Sequence, residues 1–156
     1  MTAHLAAQSP SITARPAPPG PRSLLADYQR VRRFTEALCA PLATEDYVIQ
    51  SMPDVSPTKW HLAHVSWFFE TFVLSLLSPN YRPLNPQYAY LFNSYYETVG
   101  PRHSRPRRGL LSRPTVAEVY AYRAHVDEQM AELIQNADAE LLGTLGPVVE
   151  IGRAHV

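Results

Sequence analysis

His61 and His64 stand three residues apart in the segment TKWHLAHVSWFFETFVLSLLS. On a helix that spacing puts both imidazoles on neighbouring parts of one face. Two readings are open. Such histidines can be core-edge residues bonded to helix carbonyls or carboxylates, since two histidines alone do not complete a metal site. Alternatively one or both bind a metal inside a helix bundle, where sites are built from side chains on facing helices. Three facial protein ligands with open positions suit non-haem iron and oxygen chemistry. The second concentration of chemistry is the basic run from Arg102 to Arg108, which also holds Arg105 and Arg107. Charge patterning alone would make it a solvated loop. As an anion clamp it would bind carboxylates bidentately through its guanidinium groups. Its place beside tyrosines, at the end of a long connection, favours a small-molecule carboxylate over a nucleic acid. Cys39 has no acidic and basic partner set around it and reads as a small buried residue. His103 and His125 lack local partners that suggest chemistry, His125 reading as a helix-flank residue, and His4 lies in the N-terminal segment.

The elements that must position these groups are helices. A first helix is expected from Ser23, as N-cap, to Ala40, with an apolar stripe of Leu24, Tyr28, Val31, Phe34 and Leu38 and with Pro41 as its stop. A second follows Ser56-Pro57, read as an N-cap and a first helical position, and ends before Pro79. Its apolar residues occupy nearly every side, which marks a helix buried among others. Residues 79–114 carry six prolines and a tyrosine cluster and read as a long connection broken by short helical turns around Gln87 to Tyr96. The third helix opens on the capping box Thr115-Val-Ala-Glu118, and its apolar repeat runs through Val119, Tyr122, Val126, Met130 and Leu133 to Leu141. Gly143 and Gly146-Pro147 read as its end. The fold class is therefore all-α: an up-down bundle with three long helices present. The fourth is truncated, because residues 148–156 are too short to close the bundle. Part of the aromatic surface of the second helix, formed by Trp60, Phe68, Phe69 and Phe72, should then face water.

Composition narrows the function classes. The 156 residues carry 14 basic and 14 acidic side chains, so the counterion release that drives general nucleic-acid binding has no global charge excess behind it. A single cysteine excludes an internal disulfide framework and a cysteine-only metal site. No stretch approaches the roughly 20 apolar residues needed to cross a bilayer, Glu70 interrupting the most apolar one. No basic-then-apolar signal segment opens the chain, so a cytoplasmic location is expected. Residues 1–21, with five prolines, are expected to be a disordered tail.

The stretch SPTKWHLAHVSWFFETFVL, with YLFNSYYETVGPRHSRPRRGLLSRPTVAEVYAYRAHVD after it, resembles the N-terminal region of the EgtB family, the iron-dependent sulfoxide synthases of ergothioneine biosynthesis. The likeness covers roughly residues 24 to 152. It implies a DinB-like four-helix domain over residues 22–150, followed in the family by a larger second domain that is missing here. It implies Fe(II) as cofactor, with hercynine, cysteine or γ-glutamylcysteine, and oxygen as small-molecule partners, and neither nucleic acid nor membrane. The iron ligand carried over is His64; His61 falls at a position that is not always histidine and is expected to pack or to support the ligand. Arg105 and Arg108 match the arginines that hold the thiol's carboxylates, ahead of Arg102 and Arg107. The family's two further histidine ligands form a His-x-x-x-His element. His155 falls where the first would lie, and the second has no counterpart. Residues 151–156 resemble a translated sequencing adapter and are expected to be a non-native end, making the chain a fragment that is inactive by itself. Two other readings stand beside this one: a DinB-like metal-dependent thiol transferase, and a non-catalytic helical interaction module.

Overall fold

The computed structural model describes residues 20–154, which form helices joined by turns and loops, with no strand among them. The expected disordered tail falls, except for Gly20 and Pro21, outside the described residues. Helix α1 (Pro21–Cys39) starts with proline at its first position, where the missing N–H is no loss. Ser23 is not its cap: the Ser23 hydroxyl donates to the Gly20 carbonyl at 2.9 Å from within the first turn. The buried face is Leu24, Tyr28, Arg32 and Cys39, whereas Phe34 and Leu38 are 57% and 56% exposed. The expected stripe is thus rotated. The face continues from Tyr28 to Arg32, whose guanidinium finds Ser66 at 2.7 Å and Asp127 at 2.6 Å in the interior.

Helix α2 (Thr58–Phe69) runs without interruption into a π-helical turn (Glu70–Leu74) and α3 (Ser75–Leu77). Pro57, not Ser56, stands at its N-cap position, and no side chain caps it. The Ser56 hydroxyl is engaged elsewhere, as described below. From Lys59 to Phe69 every residue of α2 is buried except His61. Between α3 and the next long helix lie α4 (Tyr88–Leu91) and a 3₁₀ turn (Arg105–Leu110), which break up the long connection as its length suggested.

Helix α5 (Val116–Gln135) has the capping box that its sequence announced. The Glu118 N–H donates to Thr115 Oγ1 at 3.2 Å and the Thr115 N–H to Glu118 Oε2 at 2.6 Å, satisfying two end donors reciprocally. The apolar repeat is buried from Val119 to Ile134 but does not extend α5 to Leu141. The chain breaks at residues 136–138 and starts again as α6 (Ala139–Ala154), with Asp138 Oδ1 accepting from the Leu141 N–H at 2.8 Å. This corrects the expected count of three long helices with the fourth truncated, since α6 is a fourth helix of 16 residues. Pro147 lies inside it, at a cost of about 3 kcal/mol. Leu142, Leu145 and Val149 are buried, and at about 1.5–3 kcal/mol for each side chain their burial outweighs that cost. Helix α2 packs chiefly on α5, while α6 covers α1 and part of α2. Most of the aromatic surface expected to face water is accordingly enclosed: Trp60, Phe68 and Phe69 are buried, and Phe72 is partly buried. No described helix is long and apolar enough to cross a membrane.

Candidate metal and anion site

His64 lies in the middle of α2 on the face that also carries Trp60 and Trp67. These residues stand four before and three after it, so their side chains line up along the helix. Its ring stacks on Trp60 (4.8 Å between centroids, 16° between planes) and on Trp67 (5.3 Å, 18°). His64 Nδ1 is 2.7 Å from the Phe92 carbonyl. A carbonyl can only accept, so Nδ1 carries a proton, which in the neutral form of the ring leaves the lone pair on Nε2. Metal-binding imidazoles are commonly fixed in this way, one nitrogen donating to a carbonyl and the other facing the ion. The neighbouring carbonyl, Leu91 O, accepts from Trp60 Nε1 at 2.9 Å, so the end of α4 holds both rings. His64 fits a metal as one imidazole ligand. Among the described residues no group of three or more His, Cys, Asp or Glu side chains converges, so the other ligands of a three-ligand site are not found there. His155 lies outside the described residues.

His61 occupies a different setting. It is exposed, meets the Trp60 ring edge-on at 5.6 Å and 88°, and faces the arginines. Partial desolvation pushes its imidazole below the usual histidine range, and the guanidinium groups of Arg108 and Arg105 push it further.

The 3₁₀ turn delivers the arginines to this side of Trp60. Arg108 is 2% exposed, with its guanidinium carbon 3.5 Å from the Trp60 ring centroid. It donates to Ser56 Oγ at 2.8 Å and to the Asn93 carbonyl at 3.5 Å. Arg105 lies over the Tyr95 ring at 4.4 Å and donates to the Asp54 carbonyl at 3.4 Å. Among the described residues the ion pairs fall on Arg30, Arg32, Arg102 and Arg123, and none involves Arg105 or Arg108. The Nε atoms of Arg105 and Arg108 are both buried without a hydrogen-bond partner. Burial, and then repulsion from Arg105 and Arg102, pushes Arg108 down to about 10. The two guanidinium groups lie near enough to repel each other, and neither has a carboxylate partner among the described residues, a setting suited to an anion. Arg102 lies 3.7 Å from Glu97, and Arg107 is exposed, so neither shares this character. Gly100, at φ +134°, turns the backbone between α4 and the arginines through a region that favours glycine.

Sequence reasoning missed the polar interior beneath this site. Glu70, at the start of the π turn, accepts hydrogen bonds from Tyr122 at 2.5 Å and from Tyr81. Tyr28 donates to Asp127 at 2.5 Å, and the buried Arg123 donates to the Leu62 and Arg32 carbonyls at 3.1 and 3.3 Å. Burial, and then the nearby Arg32, pushes Arg123 down to about 10. The available signals were a lone Glu in an otherwise apolar run and arginines at buried-face positions of two amphipathic helices. Lys59 is likewise buried, donating to the Leu111 and Pro114 carbonyls at 2.6 and 3.0 Å and closing the connection onto α2.

The family profile described as the DinB superfamily matches residues 27–150. The chain belongs to the DinB superfamily. DinB members are often metal-dependent enzymes, and the helical architecture described above is consistent with that membership. No curated protein matches the chain.

Proposed function

We propose that this DinB domain is the metal- and thiol-binding part of an iron- and oxygen-dependent sulfoxide synthase, located in the cytoplasm, that joins hercynine to cysteine or γ-glutamylcysteine. The observation that carries the reading is the placement of Trp60. One indole packs on the His64 imidazole and beneath the Arg108 guanidinium, so a candidate metal ligand and a candidate carboxylate anchor share a single ring. A thiol whose carboxylate is held by Arg105 and Arg108 would be anchored one aromatic ring away from His64, which is the positioning that a reaction at sulfur requires. Each charge-assisted hydrogen bond to that carboxylate is worth about 1.5–3 kcal/mol. Fe(II), when bound, supplies the oxygen-activating and thiolate-binding chemistry of such a site. His64 would be one of its ligands. The remaining ligands and the groups that hold hercynine would come from outside the described residues, and the chain alone is expected to make no sulfoxide.

The test uses the chain as it stands. γ-Glutamylcysteine should quench or shift Trp60 fluorescence through Arg108 and bind with a measurable heat. Arg105→Gln and Arg108→Met should each weaken that binding at least tenfold, the loss of about 1.4 kcal/mol or more. His64→Ala in the absence of metal should leave it unchanged. Equal affinity in wild type and both arginine variants would return the basic run to a solvated surface.

A further inference from the structure

Gln50 lies in the loop between α1 and α2, far in sequence from the arginines, yet all of its amide's polar atoms are spent on them or on their support. Gln50 Nε2 donates to the Arg105 carbonyl and to the Val55 carbonyl, both at 2.8 Å. Gln50 Oε1 accepts from the Gly109 N–H at 2.6 Å. Two carbonyls and one N–H fix which end of the amide is which. The same loop supplies the Asp54 carbonyl to Arg105 and the Ser56 hydroxyl to Arg108. Gly109 has no room for a side chain: a Cβ there would stand 2.7 Å from Gln50 Cβ and 2.9 Å from Gln50 Oε1. The clamp thus grips the 3₁₀ turn at Arg105 and Gly109, either side of the pair of guanidinium groups, and ties it to the loop that leads into the helix of His64.

We propose that Gln50 is a positioning residue for the anion site, setting Arg105 and Arg108 in register with α2, and that Gly109 is small so that this amide can reach the turn. The inference rests on the reading of Arg105 and Arg108 as the carboxylate anchors. It touches no ligand itself, so loosening it should weaken binding without removing any anchoring group; misplacement by about 1 Å can cost up to about 100-fold in a positioned site.

The experiment follows two readouts in wild type, Gln50→Leu, Gln50→Gly, Gly109→Ala and the double variant Gln50→Gly/Gly109→Ala. The first is γ-glutamylcysteine affinity by calorimetry. The second, which needs no ligand, is the NMR titration of His61, whose imidazole is held down by partial desolvation and by Arg108 and Arg105. Gln50→Leu and Gly109→Ala should each lower affinity about tenfold and move the His61 titration upward as the arginines drift away. Gly109→Ala should add nothing once Gln50 is already Gly, because the Cβ and Oε1 that a Gly109 side chain would meet are then both gone. Wild-type affinity together with an unmoved His61 in Gln50→Leu, or additive losses in the double variant, would overturn the proposal. If wild type binds no γ-glutamylcysteine but His61 moves in the variants, the thiol reading fails while the positioning role stands. Should Gln50→Leu not fold, Gly109→Ala alone carries the same two outcomes.

Discussion

Replacing Arg108 by methionine separates an anchor from a strut. In the folded chain its guanidinium is buried, has no carboxylate partner among the described residues, and is pushed down to about 10 by burial and by Arg105 and Arg102. At about 1.4 kcal/mol for each tenfold change in acidity, that displacement penalises the charged form by about 3 kcal/mol. The compensating contacts are the bond to Ser56 and the stacking on Trp60, worth about 1–3 and about 0.5–2 kcal/mol. The two sides are of similar size, so Arg108→Met should change the unfolding free energy by no more than about 2 kcal/mol in either direction. Truncating a large buried side chain elsewhere costs about 2–5 kcal/mol. Urea unfolding followed by tryptophan fluorescence, with and without γ-glutamylcysteine, measures both effects. The thiol should raise the midpoint of wild type and leave that of Arg108→Met unmoved. A loss above about 3 kcal/mol, with no ligand stabilisation of wild type, would show that Arg108 serves the fold and not an anion.

Bound carboxylate should relieve the repulsion on His61, so its NMR titration is expected to move upward when γ-glutamylcysteine is added; no movement would place the ligand elsewhere. Because the folded state holds this imidazole below its unfolded value, stability should fall as pH drops through about 6.5, where the unfolded chain takes up the proton first, and His61→Gln should flatten that slope. At the alkaline end Tyr28, Tyr81, Tyr120 and Tyr122 are all raised, chiefly by burial. The unfolded chain therefore loses protons first above about pH 10, and stability should decline from there upward. Ultraviolet titration should show these phenols ionising only with unfolding; reversible titration near 10 in the folded chain would contradict their burial. Thr115→Ala should cost about 0.5–2 kcal/mol by removing the α5 cap, measured by thermal melting.

Local signals were legible where local chemistry decides the structure. The Thr115 capping box forms as its spacing required, and the break-up of residues 79–114 into short turns followed from its prolines. The arginine run and the histidine pair were visible as types, and the structure adds what spacing could not: Trp60 separates His64, stacked and fixed by Phe92, from His61, which faces the arginines. The failures share a cause. Gly143 and Gly146-Pro147 look like terminators because propensity is local, whereas burial of Leu142, Leu145 and Val149 against other helices keeps α6 intact. Asp138, which accepts from Leu141, was the start signal that outweighed them. The stripe of α1 was misplaced because apolar counting passes over a buried arginine, and Arg32 is tolerated only through partners on α2 and α5. Gln50 could not be read at all, since its role depends on contacts 55 and 59 residues away.

The most direct test compares His64→Ala and His61→Ala in a protein that carries this domain together with the second domain of the family it resembles. Iron content after desalting and oxygen-dependent formation of sulfoxide from hercynine and cysteine or γ-glutamylcysteine are measured side by side. His64→Ala should lose both iron and product. His61→Ala should keep its iron and lose at most about 10–100-fold in turnover, the usual effect of a supporting partner. Iron retained without His64, or metal-dependent thiol transfer that proceeds without oxygen, would contradict the assignment.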